Sequence, residues 1–410
     1  MIKEPIKVYE HETLKVNGES FTSEHLELLA KFLGDRSSDD FPYYSLINNG
    51  VKFKQYVGVI SVGDIQIEVL PKADKKAGEN DKATWEHHLL EMLQVVYKMK
   101  VNLSSKADQQ MKRSPVLDVF LNHFMDEVEF IMHIGLVKAY RRVEDNRTSL
   151  KGRLVLSKHI IKNMVHQERF YVDYTTYDRN HVFNRLLCKA LRIIPDISSN
   201  SYTINRAKTL LFELPDLDDI VATEALFDRL TFDRKTEDYR NAMKLARMIL
   251  LNYMPNMTYR KDNSVIALMF DMNKLWEEYV CIMLRRQLPD CTVLAQSSKR
   301  FWYSATVGGK TVRPDIVIMK DKSCIAVLDT KWKCPHDGKP GDDDLKQMYV
   351  YHQYWNTDYT ALIYPGNADK VEGHFVGDSS KCGMFYLPIL PNKVARFLDM
   401  QELVDAIKVI

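Results

Sequence analysis

The segment RPDIVIMKDKSCIAVLDTKWK, Arg313 to Lys333, constrains this chain more than any other stretch. Two apolar, β-branched runs, Ile316 to Ile318 and Ile325 to Leu328, predict paired strands in a sheet interior. Acids bracket them: Pro314-Asp315, then thirteen residues, then Asp329-Thr330-Lys331. Asp329 and Lys331 are two apart on a strand, so their side chains leave the same face. Whether Asp315 joins them depends on register. A three-residue loop, Asp321 to Ser323, sets Asp315 opposite Asp329. A two-residue loop, Asp321-Lys322, sets it opposite Leu328 and turns the acids to opposite faces. Convergence of the acids therefore requires an odd loop or a bulge.

Two carboxylates converging inside an apolar sheet repel each other and lack solvation unless something neutralises them. A divalent metal does so, and hard carboxylate oxygens with few imidazoles suit Mg²⁺, or Mn²⁺. Asp315, Asp329 and Thr330 are the expected metal positions. Such a metal lowers the pKa of a bound water, while Lys331 orients or deprotonates that water, and the expected reaction is phosphodiester hydrolysis. On the preceding helix, LWEEYV offers Glu277 and Glu278, one of which leans over the sheet as a ligand or water-orienting group. On the following helix, Gln347 and Tyr351 stand four apart and share a face.

Each element has an ordinary reading: Pro-Asp a turn, Asp-x-Lys a surface ion pair, Glu277 and Glu278 a solvated helix face. Their order and spacing together favour the nuclease reading. No GxxxxGK[ST], HExxH or GxSxG occurs, and Gly308-Gly309-Lys310 reads as a hairpin turn. His87-His88 reads as surface. Cys334 is close to the second acid, but the four-cysteine spacing of an iron–sulfur nuclease is missing.

At 410 residues and 45% hydrophobic composition the chain exceeds one core, so it divides into domains. No apolar run approaches the ~20 residues of a membrane span, and the charged start MIKEPIKVYEHE argues against export. Six cysteines without a CxxC pair read as reduced thiols in a cytoplasm. A net charge of +2 leaves any basic surface to be local. The densest run, 136–169, holds nine Lys and Arg against three acids. Its readings are a solvated mixed-charge face or a DNA phosphate surface in which Arg141, Arg142, Lys151 and Arg153 are candidate contacts.

Strand-period text reaches to about residue 75, and Tyr56 to Lys72 reads as a hairpin turning at Gly63-Asp64 and ended by Pro71. Helices follow over Trp85–Lys98 and Val116–Ile134, with the polar patch ADKKAGENDKA before them. Three more helices lie between His181 and Pro255, punctuated by Pro195, Pro215 and Pro255. A helix from Asp271 to Leu288 opens a strand, helix, strand series to the end. The expected fold is α/β and multi-domain. Residues 1–135 form a β-rich, partner-binding region with helices, 136–264 a basic and helical middle, and 265–410 an α/β nuclease-like domain.

These residues resemble the PD-(D/E)xK nuclease superfamily, with Gln347-xxx-Tyr351 of the kind seen in its RecB-like branch. Over most of its length the chain resembles the McrC family, the nuclease subunits of McrBC-type modification-dependent restriction systems. The matching text is YVGVI…IEVLPK, LKGRL, the Asp178-x-Asn180…Asn184-Arg185 segment, MNKLWEEYV, RPDIVI, LDTKWK and DLKQMYVY. The resemblance implies a PD-(D/E)xK restriction-endonuclease-like core with Asp315, Asp329 and Lys331 as the catalytic set. It implies double-stranded DNA, of the 5-methylcytosine type, as substrate. It also implies an McrB-like AAA+ GTPase oligomer as partner, engaged by the N-terminal part. Two other functions fit the residues: a GTPase-activating module with a secondary or silent nuclease site, and a stand-alone RecB-like DNA repair nuclease.

Overall fold

The computed structural model of the chain describes residues 5–34, 41–72, 82–98, 115–254, 264–333, 335, 338–366, 368–378, 380–387 and 400–408. Most of the polar patch after Pro71, Pro255 and Cys334 lie outside the described residues. The chain packs as two compact units, one joining Lys3–Val116 to Met269–Ile410 and the other holding Leu117–Leu268. The first and last stretches of the sequence thus share one unit.

That unit opens with β1 (Ile6–Tyr9), β2 (Thr13–Lys15), α1 (Ser23–Leu33), β3 (Tyr44–Ile47), β4 (Gly50–Phe53), β5 (Tyr56–Val62), β6 (Ile65–Leu70) and α2 (Lys82–Tyr97). Strands β2, β4 and β3 make a small antiparallel sheet, while β1 joins β6 in parallel. The β5–β6 hairpin forms as expected, Val62 pairing with Ile65 across Gly63, whose φ of +60° suits a primed turn. His25 of α1 holds the tip, its Nε2 2.8 Å from Asp64 Oδ1. Both strands are buried along almost their whole length. The hairpin is therefore an interior element of its unit. On α2, His87 is exposed as expected, but His88 is buried.

The second unit contains α3 (Pro115–Ile134), β7 (Ala139–Arg147), β8 (Arg153–Leu154), α4 (Leu156–Lys162) and β9 (Phe170–Asp178). It continues with α5 (Val182–Ile197), α6 (Ser201–Glu213), α7 (Glu224–Asp228), α8 (Tyr239–Leu251) and β10 (Tyr253–Met254), and β11 (Val265–Asp271) leads the chain back out. Between 136 and 181 the middle is thus mainly β, with α4 its one helix among the described residues, because β7, β9 and β8 form an antiparallel sheet. Pro195 does not end its helix. It sits in the last turn of α5, where burial of Ile193, Ile194 and Ile197 outweighs the loss of one main-chain hydrogen bond.

The C-terminal part of the first unit runs α9 (Met272–Gln287), β12 (Thr292–Ala295), β13 (Lys299–Ser304), β14 (Gly308–Val312), β15 (Ile316–Lys320), β16 (Ser323–Thr330), α10 (Asp342–Trp355), β17 (Tyr359–Pro365), β18 (Val371–His374), β19 (Lys381–Leu387) and α11 (Gln401–Lys408). Asp271 caps α9, its carboxylate accepting from the Asn273 and Lys274 amides. Six strands make one mixed sheet in the order β12-β15-β16-β17-β19-β18. Strand β15 is antiparallel to β12 and β16, whereas β16, β17 and β19 run parallel. A parallel neighbour needs a crossover, and α10 supplies it. Met348, Tyr351 and Trp355 of α10 pack on Val317, Val327, Leu362 and Tyr364 of the sheet. Strands β13 and β14 form a separate hairpin turning at 305–307, so Gly308-Gly309-Lys310 lies in a strand and not in the turn. Among the described residues no helix is long and apolar enough to cross a membrane.

Candidate active site

The register of β15 on β16 decides the site. Its turn has two residues, Asp321 and Lys322, both with positive φ (49° and 68°), and Lys320 pairs with Ser323. A two-residue turn alone would separate the acids. Between Ile318 and Met319, however, the ladder shifts: Met319 faces Cys324 while Ile318 faces Ala326, leaving Ile325 as the extra residue of a bulge. Ile316 then pairs with Leu328, so the same register carried one residue past the start of β15 brings Asp315 level with Asp329. The bulge that convergence required is present.

Asp315 is held by the segment it faces. Its Oδ2 accepts from the Thr330 amide (2.7 Å) and the Thr330 hydroxyl (2.9 Å). Asp329 is 2% exposed, and its Oδ2 lies 2.6 Å from Lys331 Nζ. That contact is an ion pair without good hydrogen-bond alignment, since no donor among the described residues meets Oδ2 at a favourable angle. Burial, and then the Asp315 carboxylate, push Asp329 up to about 6 against the opposing pull of Lys331. Burial works to lower the Lys331 ammonium, but Asp329, Asp344 and Asp315 together hold it above its ordinary value.

Helix α10 completes the constellation with residues at i, i+3 and i+7. Gln347 accepts from Lys331 Nζ (3.1 Å) and donates to Tyr351 Oη (2.6 Å), with Asp329 Oδ1 at 3.4 Å. Tyr351 donates to the Arg313 carbonyl (3.1 Å), and burial pushes its phenol up to about 12. Asp344, one turn earlier, sits 3.5 Å from Lys331 Nζ and 2.7 Å from Lys333 Nζ. Asp344 escaped the reading of the sequence. It looks like one of three acids in a helix first turn, and only its place three residues before Gln347 could have marked it.

From α9, Glu277 and not Glu278 turns toward the acid pair. Its Oε1 accepts from Gln296 Nε2 (2.8 Å), and the Gln296 amide donates to the Asp315 carbonyl (2.8 Å). Burial, then the charge of Asp315, push Glu277 up to about 7. Glu278 acts elsewhere: the Tyr97 phenol is raised by burial and then by Glu278.

The four basic candidates lie in the other unit, on the β7-β9-β8 sheet. Arg141 pairs with Asp178 (2.8 Å) and Arg142 with Asp173, while Arg153 stands 4.0 Å from Asp173. Lys151 lies over the Tyr174 ring at 4.6 Å. Arg142 and Arg153 keep 70% and 77% of their side chains in solvent, so their pairing with Asp173 leaves donors available.

Fold and site together define a mixed α/β protein of several sheets, carrying at the end of two strands an acid pair, Asp329 buried and Asp315 half-buried, with a lysine fixed beside it. The chain belongs to the McrBC family: the family model described as McrBC 5-methylcytosine restriction system component matches residues 51–365. No curated protein matches. Among solved structures, the chain is similar to one in a refined half-complex from a tetradecameric assembly of Thermococcus gammatolerans McrB AAA+ hexamers with bound McrC. That likeness has a TM-score of 0.65 and 19% identity, and it covers 99% of this chain and 100% of the other. A chain of the cryo-EM structure of the Thermococcus gammatolerans McrBC complex matches at TM-score 0.46 and 20% identity, over 69% of this chain and 88% of the other.

Proposed function

We propose that the chain is the metal-dependent endonuclease subunit of a modification-dependent restriction system, cutting DNA phosphodiester bonds at a PD-(D/E)xK site and acting with an McrB-like AAA+ GTPase. The observation that carries this reading is the bulged register that sets Asp315 beside Asp329, with Lys331 Nζ 2.6 Å from the second acid.

Among the described residues no three His, Cys, Asp or Glu side chains form a ready metal cage. Mg²⁺ does not need one, since it commonly binds through one or two carboxylates, waters and substrate phosphate. The donor set fits: Asp329 Oδ2 is buried without a well-aligned donor, and its raised value is that of a carboxylate awaiting a compensating charge. Asp315, Asp329 and the Thr330 main chain would hold Mg²⁺ or Mn²⁺. When bound, the ion supplies a water of lowered pKa and charge for the phosphate oxygens.

The chain's own groups divide the remaining work. Lys331, held above its ordinary value by acceptors on both sides, stays protonated and orients water and phosphate. Proton uptake falls to Glu277, whose value near 7 suits exchange at neutral pH and which stands in the field of Asp315. Gln347 fixes Lys331 against Asp329. On the β7-β9-β8 sheet, Arg141, Arg142, Lys151 and Arg153 are proposed to meet DNA phosphates. The assembly of McrB hexamers with bound McrC supports a ring-forming GTPase as the partner.

The test is cleavage of methylated and unmethylated DNA by the full chain with Mg²⁺, GTP and the candidate GTPase. Wild-type protein should cut, and folded Asp329→Ala should cut nothing. Gln347→Leu should lose roughly 10–100-fold, the usual effect of removing a group that orients a catalytic one. Cutting at the wild-type rate by folded Asp329→Ala would overturn the assignment.

A further inference from the structure

We infer that the β13–β14 hairpin is a DNA-contacting arm of the proposed nuclease site, stacking its aromatic rings on bases opened beside the scissile phosphate. The inference rests on the nuclease reading and adds an assignment of which strand-contacting element serves it.

Both roots of the hairpin are fastened at the first acid. On the entering side, the Gln296 amide donates to the Asp315 carbonyl, and the Gln296 side chain donates to Glu277. On the leaving side, β14 runs through Arg313 and Pro314 directly into Asp315, with the Arg313 carbonyl fixed by Tyr351. Helix α10 braces the base of the arm. Lys299 Nζ donates to the Tyr354 carbonyl (2.8 Å) and lies 4.9 Å from the Trp355 ring centre, and Tyr354 Oη donates to the Phe301 carbonyl (3.0 Å). Any motion of the arm is therefore referred to the catalytic carboxylate.

At the base Val312 packs on the sheet core and the Phe301 ring meets Tyr354 edge-on, while Trp302 and Tyr303 lie in solvent. Neither strand contains a buried residue, yet β13 carries three consecutive aromatics, Phe301, Trp302 and Tyr303, exposed at 46%, 47% and 62%. Such rings in solvent need a partner surface. A shift in pairing between Arg300 and Trp302 leaves Phe301 as the extra residue, so the ladder turns over at that point. Trp302 then shares a face with Lys310, and Arg300 shares the other with Tyr303, over whose ring it lies at 5.2 Å. Each face of the ribbon thus presents a ring beside a base.

Charge selects the occupant. Residues 297–314 contain Lys299, Arg300, Lys310 and Arg313 and no acid, in a chain whose net charge is only +2. An uninterrupted positive ribbon with exposed rings matches a polyanion bearing π-faces, where bases stack on aromatics and lysine or arginine meets phosphate. A two-stranded ribbon also has the width of a DNA groove. Five or six residues of strand reach about 17–20 Å from Asp315, enough to span the phosphates flanking the cut.

The experiment uses the full chain carrying Asp329→Asn, which keeps substrate uncut. Binding to a fluorescent duplex in Mg²⁺ is read by anisotropy, and base opening by 2-aminopurine placed next to the cut site. Trp302→Ala with Tyr303→Ala should weaken binding by roughly tenfold or more and abolish the 2-aminopurine signal. Arg300→Gln with Lys310→Gln should lower the slope of log affinity against log salt by about 1.8. If both pairs bind with the parent's affinity, slope and opening signal, the arm is not a DNA contact. If they bind DNA normally but lose association with the GTPase, the arm is a protein-docking surface and the inference is equally overturned. Cleavage by the protein without Asp329→Asn separates the two readings. Should Asp329→Asn itself cut at the parent rate, the nuclease reading fails, while the binding data still decide whether the arm holds DNA.

Discussion

Glu10 shows what single residues can hide. It is 5% exposed, its Oε1 accepts from the Trp332 indole (2.7 Å) and the Lys72 amide (2.8 Å), and its Oε2 has no hydrogen-bond partner among the described residues. Burial, outweighing those two donors, pushes it up to about 7. Nothing in VYEHE separates this acid from its neighbour Glu12, because its burial is set by residues more than 300 positions away. Asp329 with Lys331, and Gln347 with Tyr351, were legible because strand and helix periods place each pair on a shared face without long-range knowledge, whereas the side on which Asp315 leaves depended on the register. The folded value of Glu10 lies above its ordinary unfolded value near 4.5, so its contribution is fully present below pH 4.5 and is lost as pH rises through 7. The span is worth about 3 kcal/mol at most. Glu10→Gln should therefore match the parent at pH 4.5 and exceed it by roughly 1–3 kcal/mol at pH 8, read from urea midpoints at both pH values. A stability difference that does not change between those pH values would show that Glu10 titrates normally.

At the scale of elements, α9 was readable almost to the residue, since Asp271 is a strong cap, and the shared face of Gln347 and Tyr351 on α10 followed from the helical period. The β7-β9-β8 sheet was not, because Arg141 and Arg142, then Glu144 and Asp145, put charge on both faces of β7 and erase the alternation that marks a strand. The β15–β16 pair lies between these cases. Its strands were evident, but its register turned on a bulge that no pattern announces. The consequence is testable by deletion. Removing half-buried Ile325 takes out only the extra residue, so the two-residue turn then leads without a shift to Asp315 opposite Asp329. Cleavage should survive. Deleting Ile316 instead moves Asp315 one place along its strand, to face Leu328 and leave on the other side of the sheet, and cleavage should vanish. Both proteins are checked for folding by circular dichroism before assay. Loss of cleavage in folded ΔIle325 would mean that the bulge itself, and not the register it sets, is what the site requires.

At the scale of the whole molecule, the surprise is that the first unit is discontinuous. Strand period and composition are local properties, so they separated 1–135 from 265–410, although packing joins Lys3–Val116 to Met269–Ile410. The joint is apolar and polar at once. Trp332 packs on Tyr9, Leu70 and Trp85, its ring centre lies 5.4 Å from that of Trp276, and its indole satisfies Glu10. Tyr279 of α9 donates to Glu91 of α2 (3.3 Å). A fragment ending at Ile134 would expose Tyr9, Leu70 and Trp85 to water and leave Glu10 buried without its indole donor. Uncovering three such side chains costs several kcal/mol, which is comparable with the whole stability of a domain. The fragment should therefore show no cooperative thermal transition by circular dichroism and little dispersion in its amide proton spectrum. Full-length Asp315→Ala, in which the joint is intact, should unfold as cooperatively as wild type. A fragment 1–134 that melts cooperatively with native-like dispersion would show that the N-terminal segment is a domain in its own right. Without that result, an N-terminal fragment is the wrong tool for locating the GTPase-binding surface, and point variants of the full chain are the right one.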